Sequence, residues 1–451
     1  MKRVGWTQGA LLALGIGVFA CGSRSPLSLP TESGSGGTGA VAGAGGSGGI
    51  EPALDRCASA TAGPASMWRN CSSRDGRSRV PVPVNPRLTW AQGGAAKLGR
   101  GALTTGPESD VYVVSGKFNS SQGSIRRLGA AGGAEQWALD IEITDATAWP
   151  VFRSTGVIDV FARDAEFNPA LLQIDAQSGA FATTNFGFDF YSGPPNPAVG
   201  ADGSLYLVHS ENVGTVSEHT FFSRVRSDGV VSWTTPDLAG LVATSTDTKL
   251  QSPSTLALGT ADRVFTVVST ITAAGTGGIV LALDADSGAP LWQSEFLGQH
   301  LGGPAVRPDG SIAILLGPLE AARLVFLNAQ SGTPTTHKLD FGGSAIHVIT
   351  RSGDAIIATN EGKGATGLAA VGGDGKTRWT HAVSVRSATL GSNDTLFAVG
   401  STLLGLDSAT GATRWELAPP NPESCILDGA LTSSSEIVAV QCDGTVFGAA
   451  D

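Results

Sequence analysis

Ala282-Leu283-Asp284-Ala285-Asp286-Ser287-Gly288-Ala289-Pro290-Leu291-Trp292 is a strand, a turn and the start of a second strand, with a tryptophan four residues after the turn glycine. Gly405-Leu406-Asp407-Ser408-Ala409-Thr410-Gly411-Ala412-Thr413-Arg414-Trp415 repeats it. The aspartate is placed to accept backbone hydrogen bonds across the turn, and the glycine to take the left-handed conformation there. Equivalent turn glycines are Gly133, Gly179, Gly229, Gly288, Gly332, Gly375 and Gly411, separated by 46, 50, 59, 44, 43 and 36 residues. Trp137, Trp233, Trp292, Trp379 and Trp415 follow five of them at the same distance, while Thr183 and Thr336 stand there in the copies at Gly179 and Gly332. A period of this length marks a unit that cannot bury its apolar face alone and stacks on its neighbours. A tryptophan fixed relative to a turn offers one flat surface per unit, suited to filling the gap between adjacent sheets.

Each unit opens with a second signal, a short β-branched or aromatic run behind a turn. Eight such runs occur: Val111–Val114, Val157–Phe161, Leu205–Val208, Val264–Val268, Ile312–Leu316, Ala355–Ala358, Leu396–Val399 and Ile437–Val440. Asp-Gly and Asn-Asp corners such as Asp202-Gly203, Asp309-Gly310 and Asn393-Asp394 precede several of them. The pattern predicts an all-β chain forming a single β-propeller of eight four-stranded blades, with seven as the alternative. Eight opening strands against seven glycine turns imply a split last blade, in which strands near Glu436–Val440 and Thr445–Ala449 pair with an N-terminal strand around Arg87-Leu88-Thr89-Trp90. Closing the ring in this way removes exposed sheet edges.

The N-terminal region divides by composition. Residues 1–20 carry Lys2 and Arg3 ahead of an apolar run from Ala10 to Ala20, too short to span a hydrocarbon core of ~30 Å. The run ends at Val18-Phe19-Ala20-Cys21-Gly22, which resembles the lipobox of bacterial lipoproteins. That resemblance implies lipid on Cys21 and, because Gly22 is not aspartate, an outer-membrane destination, facing either the periplasm or the cell surface. An ordinary secretory signal cut near Ala20 or Gly22 is the alternative. Residues 21–54 are a Gly/Ser-rich tether, too poor in apolar surface to offset chain entropy. Residues 55–84 form a lead-in holding Cys57 and Cys71, and residues 85–451 are the propeller. With Cys21 assigned to lipid, Cys57, Cys71, Cys425 and Cys442 remain, an even number suited to an oxidising compartment. Nearest-neighbour pairing gives Cys57–Cys71 and Cys425–Cys442, one of three possible connectivities.

The Ala-x-Asp-x-x-Ser/Thr-Gly-x-x-x-Trp motif resembles the tryptophan-docking repeat of pyrroloquinoline-quinone-type β-propellers, over most of the chain after residue 100. Two branches of that resemblance diverge. Quinoprotein dehydrogenases hold the quinone and calcium on the propeller axis, with an aspartate base and usually two adjacent cysteines. No two cysteines are adjacent here, and no residue of this chain matches those ligands. The second branch is the propeller lipoprotein of the outer-membrane β-barrel assembly machinery, which is anchored in a similar way and non-catalytic.

Other patterns point away from chemistry. Gly362-Lys363-Gly364-Ala365-Thr366-Gly367 fits a dinucleotide pattern but lacks a βαβ context. Asp284-x-Asp286-x-Gly288 lacks the downstream glutamate of a calcium loop. His209, His219, His300, His337, His347 and His381 have no ligand spacing, although a ring could gather some of them at one mouth. No Gly-x-Ser-x-Gly elbow supplies a nucleophile. A formal charge of −10 without a basic cluster disfavours nucleic acid. The expectation is therefore a monomeric, non-catalytic propeller with no cofactor and no metal site. Its N-terminal lipid would hold it to the membrane, and its partner would be an envelope protein or glycan. A quinone- or metal-dependent oxidoreductase is the alternative.

Overall fold

The computed structural model describes residues 76–451 except 94–99, 117–121, 130–131, 143–149, 154–155, 164–168, 186–196, 201, 212–218, 242–248, 254–255, 260–262, 273–274, 318–320 and 361–364. Cys21, Cys57 and Cys71 lie outside the described residues.

Eight antiparallel sheets follow one another along the chain and close into a ring, a β-propeller. Blade 1 is Arg100–Thr105, Val111–Gly116, Gln122–Leu128 and Glu135–Glu142. Blade 2 is Val151–Phe152, Val157–Arg163, Pro169–Asp175 and Phe181–Asn185, and blade 3 is Ala198–Val199, Leu205–Glu211, His219–Val225 and Val231–Thr234. In blade 4 the inner position is split between Lys249–Pro253 and Ala257–Leu258, both paired with Arg263–Thr272, and Gly275–Asp284 and Pro290–Leu297 follow. Blade 5 is Ala305–Val306, Ile312–Leu316, Arg323–Leu327 and Pro334–Lys338. Blade 6 is Gly342–Ile349, Ala355–Asn360, Ala365–Val371 and Thr377–His381, and blade 7 is Ser387–Leu390, Thr395–Val399, Leu403–Asp407 and Thr413–Leu417. Blade 8 is Ile426–Leu431, Ile437–Gln441 and Val446–Ala450, completed on its outside by the N-terminal strand Arg87–Gln92. The split last blade and the count of eight agree with the sequence pattern, so the seven-blade alternative falls away.

Burial explains the strand compositions. The second strands of blades 5, 7 and 8 are buried at every position because neighbouring blades cover both faces. The outer strand Pro334–Lys338 is exposed at four of its five positions and reads polar. Each apolar cluster lies between blades. Phe265, Val267, Val280 and Ala282 of blade 4 pack on Ile312, Ile314 and Val325 of blade 5. Leu103, Val111 and Val113 of blade 1 pack on Val438, Val440 and Val446 of blade 8, which closes the circle. Cys425 and Cys442 form a disulfide across 17 residues of blade 8, with Cα atoms 5.2 Å apart.

Candidate interaction surface

The hairpin turns form one face of the ring, and the local chemistry of the repeat is visible there. Asp284 Oδ1 accepts the Ser287 N–H at 2.8 Å, Asp407 Oδ1 accepts the Thr410 N–H at 2.9 Å, and Gly288 has φ +71°. The Ser287 hydroxyl is the largest of the contacts that hold the Asp284 carboxyl below its ordinary range. The turn glycine also leaves room for the preceding blade. A Cβ on Gly179, Gly288, Gly332 or Gly411 would come within 2.9, 2.7, 2.6 or 2.6 Å of the ring of Trp137, Trp233, Trp292 or Trp379. The same indole N–H groups donate to Ala176 O at 3.2 Å, Ala285 O at 3.1 Å, Ala329 O at 2.9 Å and Ser408 O at 2.9 Å, always the carbonyl three residues before the glycine.

A sixth tryptophan, Trp90 of the N-terminal strand, lies on Gly133 and clasps blade 8 to blade 1. Its indole donates to Glu436 Oε1 at 2.8 Å. All six of these tryptophans, Trp415 included, sit at or just beyond a break in strand register such as those between Ala282 and Leu283 or between Leu88 and Trp90. A bulge of this kind re-aims one side chain, here toward the next blade.

Blades 2 and 5, which carry Thr183 and Thr336, have no such break in their outer pairs. Arginines cross their seams instead. The residue after each inner strand, whose N–H closes the first turn, is Gly106, Arg153, Gly200, Gly259, Arg307, Thr350, Gly391 and Thr432 in blade order. The two arginines fall in the two blades that lack the tryptophan. Arg153 Nη1 donates to Ser227 O at 2.8 Å and Arg226 O at 3.4 Å on the blade 3 turn, and Arg153 Nε pairs with Asp159, both side chains fully buried. Burial, partly offset by Arg153, raises the Asp159 carboxyl to about 6. Arg307 Nε donates to Gly353 O at 3.0 Å on blade 6, its guanidinium lies 4.3 Å from the Phe326 ring centroid, and the His337 ring covers Gly375. The seam arginines thus contact the following blade as the tryptophans do at the other seams.

The opposite, loop end of the ring carries the features that do not repeat. Blade 4 projects there: its two central strands are 10 residues each, against 5 in blade 5. Five more residues at ~3.3 Å each extend the sheet by about 16 Å. Ile271 and Leu297 stand on this projection with 37% and 70% of their surface exposed. Ser269 Oγ and His300 Nδ1 are 2.8 Å apart at its base, and burial lowers the His300 imidazole. On blade 3, His219 Nδ1 lies 2.8 Å from Asp237 Oδ2, and Asp237 Oδ1 accepts the Thr220 N–H at 3.0 Å. Phe221 stacks on His209 at 5.4 Å, and His209 Nε2 is 2.8 Å from Ser223 Oγ. Burial pushes His209 down to about 4, so it is neutral at physiological pH. Ser223 has no exposed surface and is not an available nucleophile.

His209, His219 and His300 stand at this loop end, but each is engaged by its own neighbour. His337 lies in a seam, while His209 and His300 pair with serines of different blades. Among the described residues, no three His, Cys, Asp or Glu side chains converge as a metal site. Cys425 and Cys442 are held in their disulfide rather than adjacent in sequence.

With this geometry in view, comparison with known proteins gives two kinds of match. The family model described as outer membrane protein assembly factor BamB matches residues 276–425. Among solved structures, quinohemoprotein alcohol dehydrogenase from Comamonas testosteroni is similar with a TM-score of 0.60 at 11% identity, over 86% of this chain and 80% of that one. BamB from Moraxella catarrhalis is similar with a TM-score of 0.50 at 13% identity, over 81% of this chain and 100% of that one. Saccharomyces cerevisiae Sqt1 is similar with a TM-score of 0.51 at 10% identity, over 82% and 98%. No curated protein matches the sequence. At these identities the structural likenesses establish the fold alone.

Proposed function

We propose that this chain is a non-catalytic propeller of the bacterial envelope, held by lipid on Cys21, that presents the loop end of blades 3 and 4 to a protein or glycan partner. One observation carries the proposal. Blade 4 alone among the described blades lengthens all three of its outer strands past the ring, and it bears exposed Ile271 and Leu297 at the extended end. Exposed apolar groups on a rigid sheet are the usual anchors of a recognition surface. The match of residues 276–425 to the outer-membrane assembly-factor model includes Leu297 and the third and fourth strands of blade 4 from Thr276 on, and supports an envelope setting.

The test is photo-crosslinking in intact cells from position 271 or 297, with position 413 on the outer strand of blade 7 as control. A discrete adduct from blade 4 that Leu297→Asp removes is expected. Equal labelling from all three positions would refute the blade 4 surface. Quinone- and calcium-dependent dye reduction by the purified protein would establish the oxidoreductase alternative.

A further inference from the structure

Ring closure by the N-terminal strand leaves blade 8 without a hairpin turn between its last two strands, so Trp415 of blade 7 has no turn to dock on. Residues 78–84, Ser78-Arg79-Val80-Pro81-Val82-Pro83-Val84, lie in that position, independent of any partner on blades 3 and 4. Trp415 Nε1 donates to Pro83 O at 2.8 Å. Val82 is 1% exposed and packs among Phe397, Val399, Leu403 and Trp415. The Asn393 side-chain amide reads both backbone groups of Val82, accepting its N–H at 3.1 Å and donating to its carbonyl at 2.8 Å. Ser392 N–H donates to Val80 O at 2.9 Å, and Ser78 N–H to Leu390 O at 2.7 Å. Gly391 makes room, since a Cβ there would lie 2.7 Å from the Val82 nitrogen.

The segment suits the cleft chemically. Three cleft donors, the Ser392 N–H, the Asn393 amide and the Trp415 indole, meet three segment carbonyls. Pro81 and Pro83 have no N–H to leave unsatisfied. Of the segment's other N–H groups, Val80 donates to Ser78 Oγ at 3.3 Å, Val82 to Asn393 and Val84 to Asp451 Oδ2 at 3.2 Å. Recognition of backbone in both directions by one asparagine, an apolar socket for one side chain, and a proline-stiffened ligand are the elements of extended-peptide binding. We propose that the cleft between blades 7 and 8 is a peptide-recognition site for extended Val-Pro-Val-Pro segments, loaded in cis by residues 78–84 and exchangeable with the same sequence supplied in trans.

The test uses the full chain with a protease site inserted after Asn85. After cutting, the N-terminal fragment is expected to co-elute with the propeller and to be displaced by excess synthetic peptide spanning residues 77–85. The same peptide with Val82→Asp should not displace it, and Asn393→Ala should weaken retention about tenfold, as loss of two backbone hydrogen bonds requires. Immediate separation of the fragment, or equal displacement by both peptides, would overturn the proposal. If the cut chain unfolds, hydrogen exchange on the uncut protein decides. Protection of the Val82 amide should fall in Asn393→Ala while that of Leu396 stays unchanged. Equal Val82 protection in both proteins counts against recognition by Asn393.

Discussion

Arg153 and Asp159 form a fully buried ion pair at the seam between blades 2 and 3, and the same guanidinium reaches the Arg226 and Ser227 carbonyls of the next blade. The carbonyl three residues before the turn glycine, which an indole N–H satisfies at four other seams, is here met by an arginine. Two chemically different side chains therefore answer one architectural requirement, and each makes a separable prediction.

Removing one partner of the buried pair strands the other in low dielectric. Arg153→Met or Asp159→Leu alone should each lower unfolding free energy by about 3–5 kcal/mol, whereas the double variant should recover most of that loss. A denaturant-unfolding double-mutant cycle measures the coupling. Additive losses would mean that the two side chains act separately.

At the tryptophan seams the clasp combines apolar burial with a hydrogen bond. Trp292→Ala should destabilise by about 3–5 kcal/mol through the cavity it leaves against Gly332. Trp292→Phe should lose about 1 kcal/mol more than its reduced area explains, because Ala329 O loses its donor. Chemical denaturation of the three proteins checks both values.

Two buried carboxyls give the fold an unusual acid response. Burial raises Asp428 to about 7, only partly countered by the Leu103 and Gly429 amides, and it raises Asp159 to about 6. Both lie above the unfolded value, so the folded chain holds protons that the unfolded chain releases between about pH 4 and 7. Their contribution to stability is thus largest below pH 4 and is lost as pH rises through the folded values. Melting temperature should increase from pH 7.5 to pH 5, and Asp428→Asn should flatten that slope. The turn aspartates held low, such as Asp284 and Asp407, act in the opposite sense and only at lower pH.

The Cys425–Cys442 disulfide closes a short loop within the blade that also receives the N-terminal strand. Replacing both cysteines with serine should cost about 3 kcal/mol, mainly through a less restricted unfolded chain. Thermal unfolding with and without reductant should show a matching drop in the native protein and none in the double variant.

Cys21→Ser should move the protein from the membrane fraction to the soluble envelope fraction if lipid is its anchor. Retention in the membrane fraction would remove the lipid from the proposed function.

Much of the ring is legible in sequence because its signals are local. The apolar runs at Ile312–Leu316 and Ile437–Val440, the turn at Gly288 and the closing strand at Arg87-Leu88-Thr89-Trp90 all stand where their patterns place them. The clasps were only half visible. Trp90 has no preceding turn glycine, since its partner strand lies at the other end of the chain, so the motif does not include it. Arg153 and Arg307 sit one turn upstream of the missing tryptophans, and their role depends on contacts with the following blade that no single-blade pattern contains. The interaction surface is less legible still. Strand length in blade 4 shows only where Gly275-Thr276-Gly277-Gly278, poor in strand formers, nonetheless pairs with Ser269–Thr272.

The amides of Val84 and Asn85 donate to the carboxylate of Asp451, so the segment ahead of the closing strand is pinned beside the strand that it pairs with. The Arg87–Gln92 strand precedes every blade in sequence, yet its pairing partner Val446–Ala450 follows all the other described strands. Blades 1 to 7 can assemble from local hairpins as they appear, whereas the final sheet needs contacts more than 350 residues apart, at the highest loop-closure cost in the molecule. The ring therefore closes through its most distant pairing, and losing the Val446–Ala450 strand would leave an open ring rather than a smaller one.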